Sequence, residues 1–390
     1  MNRLILVGNG FDLAKGLESS YQHFIDWMWK NIIDELITMP SQLQYHKFVK
    51  IQFGELQLSE KKNYDYNTLK EFVDLSGGHF IFQNNFLKII TEQSYSNWVD
   101  IETEYFKELK YILQEKTSGE AQKKIEKLNE DFEQIKLELK KYLTKKLDTF
   151  SLREIDPTNL SENFNLLDFT SKGIEEFEKE FQDPKDSSQR SRILEIKNKM
   201  KLGKYSDCNT STFPENVLFL NFNYTDIVPN LIATFEDPDW PINDWRKSKI
   251  EHIYIHGELN KKENPIIFGY GDENDEIQSE IEKRGGDYLN NIKTINYLKT
   301  PNYKKVLSFL DSANYQVFIM GHSCGLSDKT LLKTIFEHPH CISIRPFYYI
   351  DKNGNNNYDD IVKNIYRTFT DKALMRDKVA NQEYCRELKV

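Results

Sequence analysis

The sequence predicts an α/β protein whose mostly parallel sheet is split by a large helical insertion. Three observations carry this reading. Leu4 to Val7 is a continuous apolar run, as in a strand covered on both faces, and it ends on Gly8-Asn9-Gly10. The other strand-like runs lie far downstream, at Val217 to Phe222, Ile250 to Ile255, Pro265 to Phe268, Tyr315 to Met320 and Cys341 to Tyr349. Between these two regions, charged and aromatic stretches recur at helical spacing.

The first strand and its turn point to a phosphate. Glycines allow close backbone approach, and a turn that opens a helix presents backbone N–H groups to an anion, as in Rossmann-like folds. The full dinucleotide fingerprint would add a third glycine at position 13, where Leu13 stands, and an acid ending a second strand. Asp26 and Asp34 lie instead in a Trp- and Ile-rich helical stretch. A tight strand-to-helix turn without a ligand accounts for the same glycines.

In the insertion, Ile125, Leu128, Phe132, Ile135, Leu139 and Tyr142 make a heptad-like seam flanked by Lys and Glu. With Trp98 to Gln114 before it and Ser118-Gly119 as a breaker, the expectation is an antiparallel helical hairpin that packs on its own core or on a second copy of the chain. Asp100 and Glu102 open a helical pattern two residues apart and do not share a face, which predicts a structural role. His23, His46 and His79 fall in this helical region. Gln182 to Gln189, Ser206 to Pro214 and Asp351 to Asn357 read as surface loops. The expected units are 1–20 with 215–350 for the sheet domain, 21–214 for the insertion and 351–390 for a helical tail.

With 52 Lys and Arg against 61 Asp and Glu, the formal charge is −9, so no sequence-wide footprint for nucleic acid exists. Cys208, Cys324, Cys341 and Cys385 form neither a disulfide spacing nor a C-x-x-C pair, which fits a reducing compartment. No stretch approaches the roughly 20 apolar residues of a membrane span. A cytoplasmic protein with no membrane contact is expected. No histidine pair has the H-E-x-x-H form, and no catalytic metal is expected.

Four motifs fall at the carboxyl ends of expected strands: Gly8-Asn9-Gly10, Asn221 to Thr225, His256-Gly257 and Gly321-His322-Ser323. In an open α/β sheet, ligands bind in the crevice there. Asn223 offers a neutral amide for a ribose hydroxyl or a water, and its plainer role is a turn former beside the helix Ile227 to Phe235. His256 suits a general base, with Gly257 leaving room for a substrate; a strand-end histidine bonded to backbone is the plainer role. His322 and Ser323 complete the rim. Gly321-His-Ser-Cys-Gly325 also matches the nucleophile elbow of α/β-hydrolases, but that fold needs an acid and then a histidine after the serine. The last histidine is His340, close behind Ser323, and Ser327-Asp328 fits a cap on the helix Lys329 to Phe336.

The opening Leu4 to Phe24, together with Trp98-Val-Asp-Ile-Glu102 and the Asn-Tyr-Thr, His-Gly and Gly-His-Ser motifs, resembles the AbiH family of bacteriophage abortive-infection proteins. The order of motifs is also similar to that of sirtuin-type NAD-binding domains. That likeness implies NAD as ligand or substrate, held by Gly8, Asn9, Gly10, Phe11, Asp12, Asn223, Tyr224, Gly257, Gly321, His322 and Ser323, with Asn223 and His256 catalytic. Asn9 stands where sirtuins have alanine, and the zinc-binding cysteines are missing. The implied chemistry is therefore NAD hydrolysis to nicotinamide and ADP-ribose under a phage-derived trigger. A nucleotide-binding sensor or scaffold without turnover, a Ser323 hydrolase and a nuclease-type toxin are the alternatives.

Overall fold

The computed structural model describes residues 1–38, 43–52, 65–92, 98–115, 117–151, 162–180, 187–202, 212–235, 248–271 and 277–389. The chain opens with β1 (Asn2–Val7) and the short helix α1 (Asn9–Ala14). The insertion follows, with α2 (Tyr21–Ile37), β2 (Leu43–Tyr45), β3 (Val49–Gln52), α3 (Tyr66–Leu75), β4 (His79–Phe82), α4 (Asn85–Glu92), α5 (Trp98–Leu113), α6 (Ser118–Asp148), α7 (Ser171–Glu180) and α8 (Ser187–Lys201). The sheet resumes with β5 (Asn216–Asn221), α9 (Ile227–Phe235) and β6 (Lys249–Tyr254). Then come α10 (Gln278–Arg284), α11 (Lys293–Asn296), α12 (Asn302–Ser312), β7 (Tyr315–Met320), α13 (Lys329–Phe336), β8 (Cys341–Phe347), α14 (Tyr358–Thr368) and α15 (Lys372–Lys378).

Five strands pair in the order β6-β5-β1-β7-β8, every neighbour parallel. Counted in chain order within this sheet, that is 3-2-1-4-5, a Rossmann-like doubly wound arrangement whose switch point lies between β1 and β7. Successive side chains on a strand point to opposite faces, so a sheet covered twice needs unbroken apolar strands. Leu4, Leu6, Leu218, Leu220, Val317 and Ile319 pack on one face with α12, α13 and α14. Ile5, Val7, Val217, Phe219, Phe318 and Met320 pack on the other with α1 and α9.

The Asn2 to Val7 run carries one charge inside this core, Arg3, and its environment explains it. Arg3 Nη1 donates to the Glu162 carbonyl at 2.6 Å, while Arg345 Nη1 meets Glu162 Oε2 at 2.9 Å and Asp168 Oδ2 at 3.2 Å. The end of the insertion is thus fastened to the sheet. The hairpin seam is filled from within the chain: Ile125, Phe132, Ile135, Leu139 and Tyr142 are buried in the core that α6 shares with α2, α4 and α5. Phe132 stacks on Phe268 at 5.1 Å between ring centres, joining the insertion to the segment after β6.

Two expectations need correction here. Pro265 to Phe268 is not a sheet strand: Ile267 N–H donates to the His256 carbonyl at 2.7 Å, so the run folds back on the turn after β6 and joins no ladder. The insertion is not wholly helical either, because β2, β3 and β4 form a separate antiparallel sheet in which β4 begins at His79. Strands of three and four residues offer too few alternations for a period of two to be read. The proposed loops at 182–189 and 206–214 lie largely outside the described residues, as do Cys208 and the side chain of Asp100. Among the described residues, no helix is long and apolar enough to cross a membrane.

Candidate functional site

A cleft of about 930 Å³ opens along the carboxyl ends of the parallel strands. Its walls include Gly8, Asn9, Gly10 and Asp12 after β1, Asn223, Tyr224 and Thr225 after β5, His256 after β6, and Gly321, His322 and Ser323 after β7. Residues far apart in the chain meet because four parallel strands end on one edge.

At the inner end lies a buried charge cluster. Asp328 Oδ1 accepts from Lys293 Nζ at 2.8 Å and faces His256 Nε2 at 3.0 Å, while Asp328 Oδ2 faces His322 Nε2 at 3.5 Å. Lys293 also donates to Glu102 Oε2 at 2.8 Å and reaches Ser327 Oγ at 3.3 Å. Tyr297 Oη lies 3.1 Å from His256 Nε2. Burial disfavours an ionised Asp328, yet Lys293 and then His256 outweigh it and hold the carboxyl well below the usual range. Burial pulls Lys293 down, but Asp328 and Glu102 together push it up, so the ammonium stays charged. Glu102 is pushed up by burial and, despite Lys293, by the charge of Asp328. Burial, helped by Lys293, lowers His256 to about 4, which leaves its ring neutral at pH 7.

Tautomers follow from these partners. An ionised Asp328 only accepts, so the His256 bond places the proton on Nε2. The Cys324 backbone N–H donates to His322 Nδ1 at 3.0 Å, which leaves Nε2 to carry that ring's proton toward Asp328. Both imidazoles pack on Phe222, with ring centres 5.0 and 4.1 Å away.

A second buried carboxyl stands by the β1 turn. Asp12 accepts from Asn223 Nδ2 at 2.8 Å and from Thr225 Oγ1 at 2.6 Å, and burial raises it to about 7 against those hydrogen bonds. The family described as bacteriophage abortive infection AbiH matches residues 4–349, a span that holds every residue of both clusters. The chain belongs to the AbiH family. No curated protein matches it.

In this AbiH chain the glycine turns serve each other. Gly10 N–H donates to the Gly321 carbonyl at 2.8 Å, and Phe11 N–H to Gly8 at 2.9 Å. A Cβ on Gly8 would stand 2.5 Å from His322 Cα, and one on Gly321, at φ +74°, would stand 2.1 Å from Phe11 N. The turns after β1 and β7 interlock at the switch point, and the Gly8, Gly10 and Phe11 N–H groups, expected to help cradle a phosphate, are already committed. Gly321→Ala is expected to destabilise the fold by at least about 1–3 kcal/mol from backbone strain alone. A lowered urea midpoint checks this; an unchanged one would mean that the two turns separate freely.

Other positions also differ from expectation. Phe11 is fully buried in the core beneath the sheet and contributes nothing to the cleft wall. Gly257 leaves no room for a substrate, because a Cβ there would lie 2.1 Å from the Pro265 carbonyl oxygen. Both amide hydrogens of Asn223 are in use, on Asp12 and on the Gly8 carbonyl at 3.0 Å, so its Nδ2 positions the turn. Asn9 Oδ1 accepts from Ser19 at 2.6 Å. Asp328 starts α13 but makes no side-chain cap, since its carboxylate is turned into the cluster. Ser323 is exposed; its carbonyl accepts from Asn364 at 2.8 Å, and among the described residues no histidine bonds its hydroxyl. The left-handed residues of this turn are Gly321 and Cys324, at φ 74° and 55°, so Ser323 does not sit on a strained nucleophile elbow.

Four members of the inner cluster, Glu102, Lys293, Tyr297 and Asp328, were not expected as site residues. Glu102 carried a readable signal: with Tyr105, Phe106 and Leu109 it occupies positions i, i+3, i+4 and i+7, an acid on the apolar stripe of α5. Lys293 offered less, a lysine between Ile292 and Ile295 in a one-turn helix.

Proposed function

We propose that this protein acts in abortive infection by hydrolysing the N-glycosidic bond of a nucleotide, with NAD as substrate and nicotinamide and ADP-ribose as products. The observation that carries the reading is the His256–Asp328 pair, 3.0 Å apart and buried at the inner end of a large cleft. The bond between C1′ of the ribose and the nicotinamide nitrogen breaks, and its electron pair neutralises the pyridinium. The leaving group is therefore a neutral ring and needs no acid. Water forms the new C1′–O bond and gives its proton to His256, whose Nδ1 holds the free lone pair when Nε2–H faces Asp328. Ionised Asp328 also stabilises the positive charge that develops on the ribose in an oxocarbenium-like transition state. Asn223 acts through Asp12 and Gly8 as a positioning residue.

A second reading, nucleotide sensing without turnover, draws support from His256, which burial followed by Lys293 lowers to about 4, well below the pH at which a general base works best. Purified protein incubated with NAD, alone and with lysate of phage-infected cells, separates the two. Nicotinamide release supports hydrolysis; saturable NAD binding with no nicotinamide in either condition supports sensing and sinks the hydrolase.

A further inference from the structure

The residues matched by the family end at 349, yet the cleft does not. Asn357 and Ile361 line it, and so do Glu387, Leu388 and Lys389 of the C-terminal tail. The tail reaches the cleft by pairing with the open edge of β8. Val379 bridges Ile344 and Glu387 bridges Tyr348, both parallel, and the Ala380 and Leu388 N–H groups donate to Ile344 and Tyr348 carbonyls at 2.9 and 2.7 Å. Arg386, just before the wall, is salt-bridged to Glu162. Two isolated bridges, on either side of the turn Gln382–Tyr384, thus hold the tail where a sixth strand would lie. It lies two strand spacings, about 10 Å, beyond β7 and its His322, on the side away from β6 and His256.

A cleft that continues this far has room for more than the reacting half of a dinucleotide. The chemistry of the far wall also differs from that of the inner end. Glu387 is only 33% exposed, 3.4 Å from Lys389, and shares the wall with Leu388 and the exposed ring of Tyr349. A half-buried carboxylate beside aromatic and aliphatic surface is the combination that accepts hydrogen bonds from a ribose diol while the attached base rests on the apolar part.

We propose that the C-terminal tail determines specificity for the end of the nucleotide farthest from His256, with Glu387 accepting hydrogen bonds from the 2′,3′-diol of the distal ribose. This rests on the nucleotide reading above. It further predicts exclusion of a 2′-phosphate, which would replace a donating hydroxyl with a dianion facing the carboxylate. The test is equilibrium binding of ADP-ribose, 2′-phospho-ADP-ribose and nicotinamide mononucleotide to the full chain, to Glu387→Ala and to a chain ending at Arg386. Wild type is expected to prefer ADP-ribose over its 2′-phosphate by at least about tenfold. Glu387→Ala should weaken ADP-ribose by about tenfold, one charge-assisted hydrogen bond, and erase most of that preference. The truncated chain should do the same, and both variants should bind nicotinamide mononucleotide as wild type does. An intact preference in Glu387→Ala overturns the proposal, as does an equal loss for all three ligands, which would make the tail merely structural. Wild type binding none of the three refutes the nucleotide reading and this inference with it.

Discussion

Replacing His256 with alanine is expected to slow nicotinamide release by about 10²- to 10⁴-fold, the range for a removed general base. The pH profile of the wild type carries the sharper information. Activity needs the neutral ring, and burial followed by the nearby Lys293 charge lowers His256 to about 4. The rate should therefore hold as pH falls through 6.5 and decline only near pH 4. Asp328→Asn should slow the reaction too, by freeing the ring from the bond that fixes its tautomer. Because Asp328 is the group that raises His256, the variant's acid limb should move to still lower pH. A merely structural role for Asp328 would lower the rate without moving the limb. Asp12 itself sits at about 7, so full activity in His256→Ala, or a wild-type limb at pH 6 to 7 that persists in Asp12→Asn, would remove His256 from the chemistry.

The parts of this site that were legible share one property: they sit where strands end. Apolar runs at Leu4 to Val7 and Tyr315 to Met320 declare buried strands, and glycine, asparagine or histidine just beyond each run declares a turn on one edge of the sheet. That logic reached Gly8, Asn223, His256 and His322, all of which the fold brings to one cleft. It could not reach partners delivered by other elements. Glu102 arrives from α5 in the insertion and Lys293 from a four-residue helix; neither position follows from strand periodicity. Asp328 was visible but assigned to a local cap, because sequence spacing shows what a carboxylate can reach nearby and not the buried lysine that outcompetes a backbone amide. The glycines were legible as close approach and misassigned in object. Their neighbour is the backbone of the other turn. The antiparallel β2–β4 sheet was lost for a different reason, since strands of three and four residues give too few alternations to stand out in a helical stretch.

Lys293→Met is expected to cost about 3–5 kcal/mol of stability, as when a buried ion pair loses one partner. The side chain is almost wholly enclosed and is the shared counter-ion of Glu102 and Asp328. Removing it leaves two carboxyls in the interior, and they cannot both stay ionised. Glu102 is already pushed up by burial, so it takes the proton first. Glu102→Gln alone should therefore be mild, because Lys293 keeps Asp328 as its partner. In the double variant the glutamine removes one of the stranded carboxyls, and the combined cost should fall short of the sum of the two single costs. Urea midpoints for the four proteins at pH 7 measure that coupling. The same lysine lowers His256, so in Lys293→Met any remaining activity should show its acid limb moved upward, opposite to the shift expected for Asp328→Asn. Wild-type stability in Lys293→Met would mean that the cluster is solvated and that Glu102 and Asp328 do not depend on one charge. Loss of stability with an unmoved limb would confine Lys293 to joining the insertion to the sheet domain, with no influence on the base.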